Sequence, residues 1–164
     1  MFGNLNIILI CCLQKWSKMG KEIENFKKMF LEMIDNQDNP FHSLVFVRGK
    51  PKTGKNVYVG IFSEINAQGA EIIIGDNCDI ASFVSINVAD SHKKCINLKE
   101  EIERKSIIIE NNVFIGSHSF IKGGTHLGHH SIVAAGTIVE GIKIPAYSLI
   151  YGNPMKVKEG YYKD

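Results

Sequence analysis

Long apolar runs are scarce in this sequence. Ile7–Leu13 (I-I-L-I-C-C-L) is the clearest, and it falls well short of the roughly 20 residues a bilayer span requires. No basic residue precedes it and no small-residue cleavage site follows, which argues against a signal peptide. Two readings stay open: it packs on the body of the protein, or it is an upstream extension with Met19 as the true start. Packing is the expectation. One-sided charge is also missing. Nineteen Lys and Arg oppose seventeen Asp and Glu, for a net +2, which is not the footprint of a nucleic-acid binder. The four cysteines (Cys11, Cys12, Cys78 and Cys95) form no C-x-x-C pair and no zinc spacing. They read as reduced thiols of a cytoplasmic protein. Proline is rare, with four residues, whereas glycine is not, with fifteen.

What is present is a chain of ordinary globular make-up. Its 164 residues are 45% hydrophobic and 22% charged, which excludes a disordered chain and a polytopic membrane protein. A chain of this size buries roughly 70% of its unfolded surface, so it needs neither disulfides nor metals to fold.

Two periodicities divide the sequence. In residues 16–34, Trp16, Met19, Ile23, Phe26, Phe30 and Met33 step by 3, 4, 3, 4 and 3, with Lys and Glu opposite. That is an amphipathic helix. Gly20 weakens its first turn, and the polar stretch from Asp35 to Pro40 ends it. The stripe is either a partner or membrane face, or a face packed on the same chain, and the second is expected. Next, G-K-P-K-T-G-K-N at 49–56 falls one residue short of a P-loop. Asn56 lacks the metal-binding hydroxyl, and Val57-Tyr58-Val59 is strand-like, so a basic surface turn is the better reading.

From residue 57 the period is six. Ile109, Ile115, Ile121, Leu127, Val133 and Val139 are evenly spaced, as are Ile74, Ile80 and Ile86, and Val59 and Ile65 add a step. Four residues after these aliphatics comes a small or thin residue: Cys78, Val84, Val113, Ser119, Thr125, Ser131 or Thr137. A six-residue unit fits one short strand and one tight corner. Three units close a triangle, and the next coil lies on it at a strand spacing of about 4.8 Å. Each period aliphatic then points inward and stacks on its equivalent one coil later: Ile109 on Leu127, Ile115 on Val133, Ile121 on Val139. This is the pattern of a hexapeptide β-helix. The expected division is a helical segment at 1–40 and a mainly β domain at 41–164.

The stretches I-I-I-G-D-N-C-D-I-A, I-I-I-E-N-N-V-F-I-G-S-H and I-P-A-Y-S-L-I-Y-G-N-P-M-K-V resemble the hexapeptide-repeat acyltransferase superfamily, whose members form left-handed parallel β-helices. They are most similar to the galactoside, maltose and polysaccharide sugar O-acetyltransferases. The similarity runs from about Ile72 to Val157. The closing Pro145, Ser148, Gly152, Pro154 and Lys156 resemble the C-terminal signature of that group.

The informative feature is where the repeat breaks. Ile86 and Ile109 are not a multiple of six apart, and the charged segment 87–106 lies between them. A loop that leaves a rigid scaffold is usually functional. The resemblance implies that His92, near its start, is a general base. It would take a proton from an acceptor hydroxyl during direct attack on the thioester of acetyl-coenzyme A. Imidazole suits this with an ordinary pKa of about 6.5. Cys95 is not needed as a nucleophile. Asp90, Glu100, Glu101 and Glu103 are all candidates to orient His92. The resemblance also implies that Ser117, Ala135 and Gly136 lie beside the pantetheine, with Lys156 near the coenzyme phosphates; Lys143 and Lys158 read better as solvated lysines.

The expectation is therefore a cytoplasmic homotrimer that acetylates a sugar, with acetyl-coenzyme A as co-substrate, no metal, no nucleic-acid partner and no membrane span. The acceptor is a glycan precursor, a nucleotide sugar or a free sugar. An acceptor-binding Asn of the galactoside enzymes has no clear counterpart here. Asn66, Asn87 and Asp90 are the substrate-binding candidates. His118, His126, His129 and His130 invite a zinc reading, but no two histidines have four residues between them, and corner or interface roles are expected. Three rivals remain: an N-acetyltransferase on a nucleotide-linked amino sugar, an antibiotic acetyltransferase, and a non-catalytic β-helix scaffold.

Overall fold

A computed structural model describes residues 3–34 and 38–163, with side chains from residue 16 onward. The side chains of the Ile7–Leu13 run and of Cys11 and Cys12, and the start of the polar stop after the helix, lie outside the described residues. The chain divides into two compact units, residues 1–36 and 37–164. Helix α1 (Gly3–Met33) makes up the first. Its stripe is exposed, with Trp16 at 70%, Phe26 at 63% and Met33 at 76%. No helix among the described residues is long and apolar enough to cross a membrane.

The second unit is a parallel β-helix of five coils with three faces. The first face stacks β1 (Phe46–Gly49), β4 (Glu64–Ala67), β7 (Ser85–Asn87), β12 (Phe120–Lys122) and β15 (Ile138–Val139). The second stacks β2 (Lys52–Thr53), β5 (Ile72–Ile74), β10 (Ile107–Ile109), β13 (His126–Leu127) and β16 (Lys143–Ile144). The third stacks β3 (Tyr58–Val59), β6 (Asp79–Ile80), β11 (Phe114–Ile115), β14 (Ile132–Val133) and β17 (Leu149–Tyr151), and ends on the antiparallel β18 (Lys156–Lys158). The predicted pairs are in register: Ile109 with Leu127, Ile115 with Val133, Ile121 with Val139. These six side chains are fully buried.

Two corrections to the repeat emerge. The basic stretch 49–56 is not a surface turn alone: Lys52–Thr53 is a strand of the first coil, paired with Ile73 and Ile74. The coils also differ in length. Thr53 pairs with Ile74, twenty-one residues on, because the corner after Ala67 is longer. Leu127 pairs with Ile144, seventeen residues on, because the corner at Gly141 is shorter. There an added Cβ on Gly141 would lie 2.3 Å from the Gly123 carbonyl oxygen.

Small residues at the inner corner positions keep their hydroxyls paired. Thr125 Oγ1 donates to the Lys122 carbonyl at 2.6 Å, Thr137 Oγ1 to that of Ala134 at 2.7 Å, and Ser148 Oγ to that of Pro145 at 2.8 Å. Burial without these bonds would cost about 1–3 kcal/mol per hydroxyl. Glycine is required where coils touch: a Cβ on Gly128 would sit 2.3 Å from the Ala146 nitrogen. Urea unfolding should show that Ile115→Ala costs about 2–5 kcal/mol, the cavity term included. Gly128→Ala should cost about 1–3 kcal/mol through overpacking.

Candidate active site

The excursion leaves the prism after β7 and returns at β10, at the corner between the first and second faces. It is an ordered finger. β8 (Ala89–Asp90) pairs antiparallel with β9 (Glu103–Arg104), and the four-residue helix α2 (His92–Cys95) forms between them. The finger is tied to the scaffold at its base. Val88 N donates to the Asn66 carbonyl at 3.2 Å, and Arg104 Nε to that of Gln68 at 2.9 Å. Glu103 accepts from Lys93 at 3.1 Å and from Lys99. Those two ammonium groups, Lys99 first, pull the Glu103 carboxyl down to about 2.

Of the four acids considered for His92, the structure selects Asp90. Its Oδ1 meets His92 Nδ1 and also accepts from the His92 amide at 3.3 Å. Its Oδ2 lies 3.5 Å from Lys122 Nζ. The His92 hydrogen bond, with Lys122 adding charge, holds the Asp90 carboxyl below its ordinary value. Asp90 is thus ionised at neutral pH and can accept a hydrogen bond from Nδ1–H. The imidazole is half exposed, and in the tautomer protonated at Nδ1 its Nε2 is an acceptor. Asp90, also expected among the substrate-binding residues, has its carboxylate engaged by His92 and Lys122.

Asn66 and Asn87 sit beside this pair. They are in register on β4 and β7, and Asn87 is in register with Lys122 on β12. Asn66 Nδ2 donates to Asn87 Oδ1 at 3.3 Å, and the same oxygen accepts from Ala89 N at 2.8 Å. Lys122 was missed from sequence, although a signal for it existed. The residue after each inward aliphatic of the first face points outward, so Arg48, Asn66, Asn87, Lys122 and Glu140 form one polar column. Lys122 Nζ lies 3.8 Å from Glu140 Oε2. The space enclosed at the foot of the finger, lined by Asp90, Glu103 and Lys122 among others, is only about 30 Å³.

Ser117, Ala135 and Gly136 lie at another corner, between the third and first faces. They adjoin one another: Gly136 N donates to the Ser117 carbonyl at 2.9 Å. No atom comes within 4 Å of a Cβ built on Gly136, whose φ is +70°. This corner presents bare backbone that a thin ligand could approach closely, but one chain does not bring it to His92. Lys156 lies exposed on β18. Lys158 packs over the Tyr151 and Tyr161 rings at 5.6 and 5.4 Å, a role that sequence reading did not assign. The other histidines separate. His118 stacks on Phe83 at 4.9 Å. His126 pairs with Glu110 at 2.7 Å, and His129 with His130 at 2.9 Å. Among the described residues, no three His, Cys, Asp or Glu side chains are arranged to hold a metal ion.

Glu103 is ionised well below its usual range, so its pairs with Lys93 and Lys99 persist through mildly acidic pH and are lost only as pH falls through about 2. At neutral pH, Glu103→Gln should speed amide exchange across residues 92–99 and leave the prism strands protected. Hydrogen–deuterium exchange reads both.

Comparison with known proteins agrees with the repeat. The family described as hexapeptide repeat of succinyl-transferase matches residues 106–140. The galactoside O-acetyltransferase of Escherichia coli (strain K12) is 33% identical over 126 residues, which cover 68% of this chain and 61% of the relative. This chain therefore spans about three-fifths of that protein's length. A hexapeptide-repeat-containing acetyltransferase from Vibrio cholerae O1 biovar eltor, solved with acetyl-coenzyme A, is 25% identical with a TM-score of 0.55; the match covers 87% of this chain and 90% of that one. An N-acyltransferase from Bacillus cereus, solved with dTDP-4-amino-4,6-dideoxyglucose and coenzyme A, shares the fold at 17% identity and a TM-score of 0.62; the match covers 75% of this chain and 70% of that one. With its six-residue period and stacked corners, the chain carries the hexapeptide repeat of that family and is similar to these acetyltransferases.

Proposed function

We propose that this protein is an acetyl-coenzyme A-dependent O-acetyltransferase acting on a sugar hydroxyl, in the cytoplasm and as a homotrimer. The observation that carries the reading is the Asp90–His92 pair, held on a tied finger beside Asn66, Asn87 and Lys122. Asp90 keeps the Nδ1 proton in place and leaves Nε2 to accept one. His92 takes the proton of the acceptor hydroxyl as that oxygen bonds to the thioester carbonyl carbon. The carbon–sulfur bond then breaks, and His92 returns the proton to the thiolate. Acetyl-coenzyme A supplies the acyl group, and no acyl-enzyme is needed. The outward amides of Asn66 and Asn87 are suited to hold sugar hydroxyls, which both donate and accept.

The trimer reading rests on the family resemblance and draws support from an incompleteness. The His92 finger and the small-residue corner at Ser117, Ala135 and Gly136 belong to different edges of one prism. A neighbouring copy would bring its own small-residue corner against the finger and supply the second wall. Ser117, Ala135 and Gly136 would then admit the pantetheine, with Lys156 placed for a phosphate as a mobile point charge. The acceptor reading draws support from the galactoside O-acetyltransferase relative. A glycan precursor, nucleotide sugar or free sugar fits.

Thiol release from acetyl-coenzyme A should be followed across sugars, amino sugars and nucleotide sugars. We expect turnover on a hydroxyl acceptor that drops on the order of 10²–10⁴-fold in His92→Ala, and by less in Asp90→Asn. Turnover confined to amines and indifferent to His92→Ala would replace this reading with N-acetylation. Absence of turnover and of coenzyme binding would leave a scaffold.

A further inference from the structure

Helix α1 carries a spacing that a lone surface helix does not need. In sequence, Leu5, Leu9, Cys12, Trp16, Met19, Ile23, Phe26, Phe30 and Met33 alternate steps of four and three without a break. The helix is continuous over 31 residues. A straight helix turns every 3.6 residues, so a strict seven-residue repeat drifts by about 20° per heptad, and the stripe stays on one line only if helices supercoil. From Trp16 onward the stripe is exposed, including Met19, Ile23, Phe26, Phe30 and Met33. Phe26 and Phe30 stack on one another along it at 6.4 Å.

We propose that α1 forms a parallel, in-register coiled coil with α1 of other copies of this chain. Trp16, Ile23 and Phe30 then occupy the first core position of each heptad, and Met19, Phe26 and Met33 the second. The flanking positions agree with this register. In a parallel coil, the residue just before a first-position core residue faces, on the partner helix, the one five places later. That sets Glu22 against Lys27 and Met29 against Ile34: opposite charges meet, and apolar side chains meet. The outward positions are Ser17, Lys18, Lys21, Glu24, Asn25, Lys28, Leu31 and Glu32, polar except for Leu31, as a solvated back requires. Gly20 adds a separate sign. A glycine inside a helix costs about 1 kcal/mol relative to alanine, yet a Cβ built there meets nothing within 4 Å. Nothing in the helix itself calls for it. In the proposed register it flanks the seam beside Met19, where its missing side chain would leave room for a partner helix.

The test uses the full chain with Cys11, Cys12 and Cys95 replaced by Ser, and one new cysteine added. Under mild oxidation, Met19→Cys on the seam should link two chains, while Lys21→Cys on the back should not. Adding Glu22→Lys to the seam variant should abolish the link, and Glu22→Lys with Lys27→Glu should restore it. His92→Ala should leave all of these unchanged, which separates this proposal from the catalytic reading. Equal linking from both positions, no link from Met19→Cys, or indifference to the charge swap would overturn it. So would flotation of the unlinked chain with phosphatidylglycerol-containing vesicles, which would assign the stripe to a membrane surface.

Discussion

Everything in the second unit depends on aliphatic side chains that stack on their equivalents one coil away inside a single core. Ile74, Ile109, Leu127 and Ile144 form one such stack, and Ile80, Ile115, Val133 and Ile150 another. Burying a side chain of this kind contributes roughly 1.5–3 kcal/mol, and the stacks run the length of the prism. The close approach of coils at the corners follows from this packing. It demands glycine at positions such as Gly75 and Gly128, and a side chain no larger than a threonine or valine at the inner corner. Because each coil answers only to its neighbours, a corner can be lengthened without disturbing the rest. The His92 finger occupies such a corner.

The prism was legible from sequence because its period is short and repeated. The stacking partners from Ile109 to Val139 could be named residue by residue. The irregular coils were harder to read. The long corner after Ala67 moves the register by three residues, and the short corner at Gly141 moves it by one. A fixed six-residue count therefore splits Val47, Thr53, Val59 and Ile65 from the series that starts at Ile74, and loses Ile144 and Ile150 at the other end. The first coil was obscured further because Gly49, Lys50 and Pro51 have turn chemistry, although Lys52 and Thr53 pair as a strand.

The candidate site divides along similar lines. The excursion was marked by the break in the repeat, and His92 on it by the family resemblance. Its partner was not, because Asp90, Glu100, Glu101 and Glu103 all lie on the same excursion. The choice depends on backbone geometry. The β8–β9 pairing turns Asp90 toward His92, while Glu103 is claimed by Lys93 and Lys99. Lys122 is far from the finger in sequence and reaches it only through strand register. Sequence distance also hid the separation of the two halves of the site: Ser117 and His92 lie on different edges of one triangle.

The ends of a solenoid are where strand edges could meet another molecule. Stacked end to end, such prisms would grow into fibres. Here the last coil turns back through β18, which runs antiparallel and covers part of the terminal edge with Lys156 and Lys158. The first coil carries Lys50, Lys52 and Lys55 at the opposite end, with Glu71 answering only Lys52. Head-to-tail contact would therefore bring lysines against lysines. The same repeat that makes the prism extensible in principle places lysines at both of its ends, and their repulsion opposes extension.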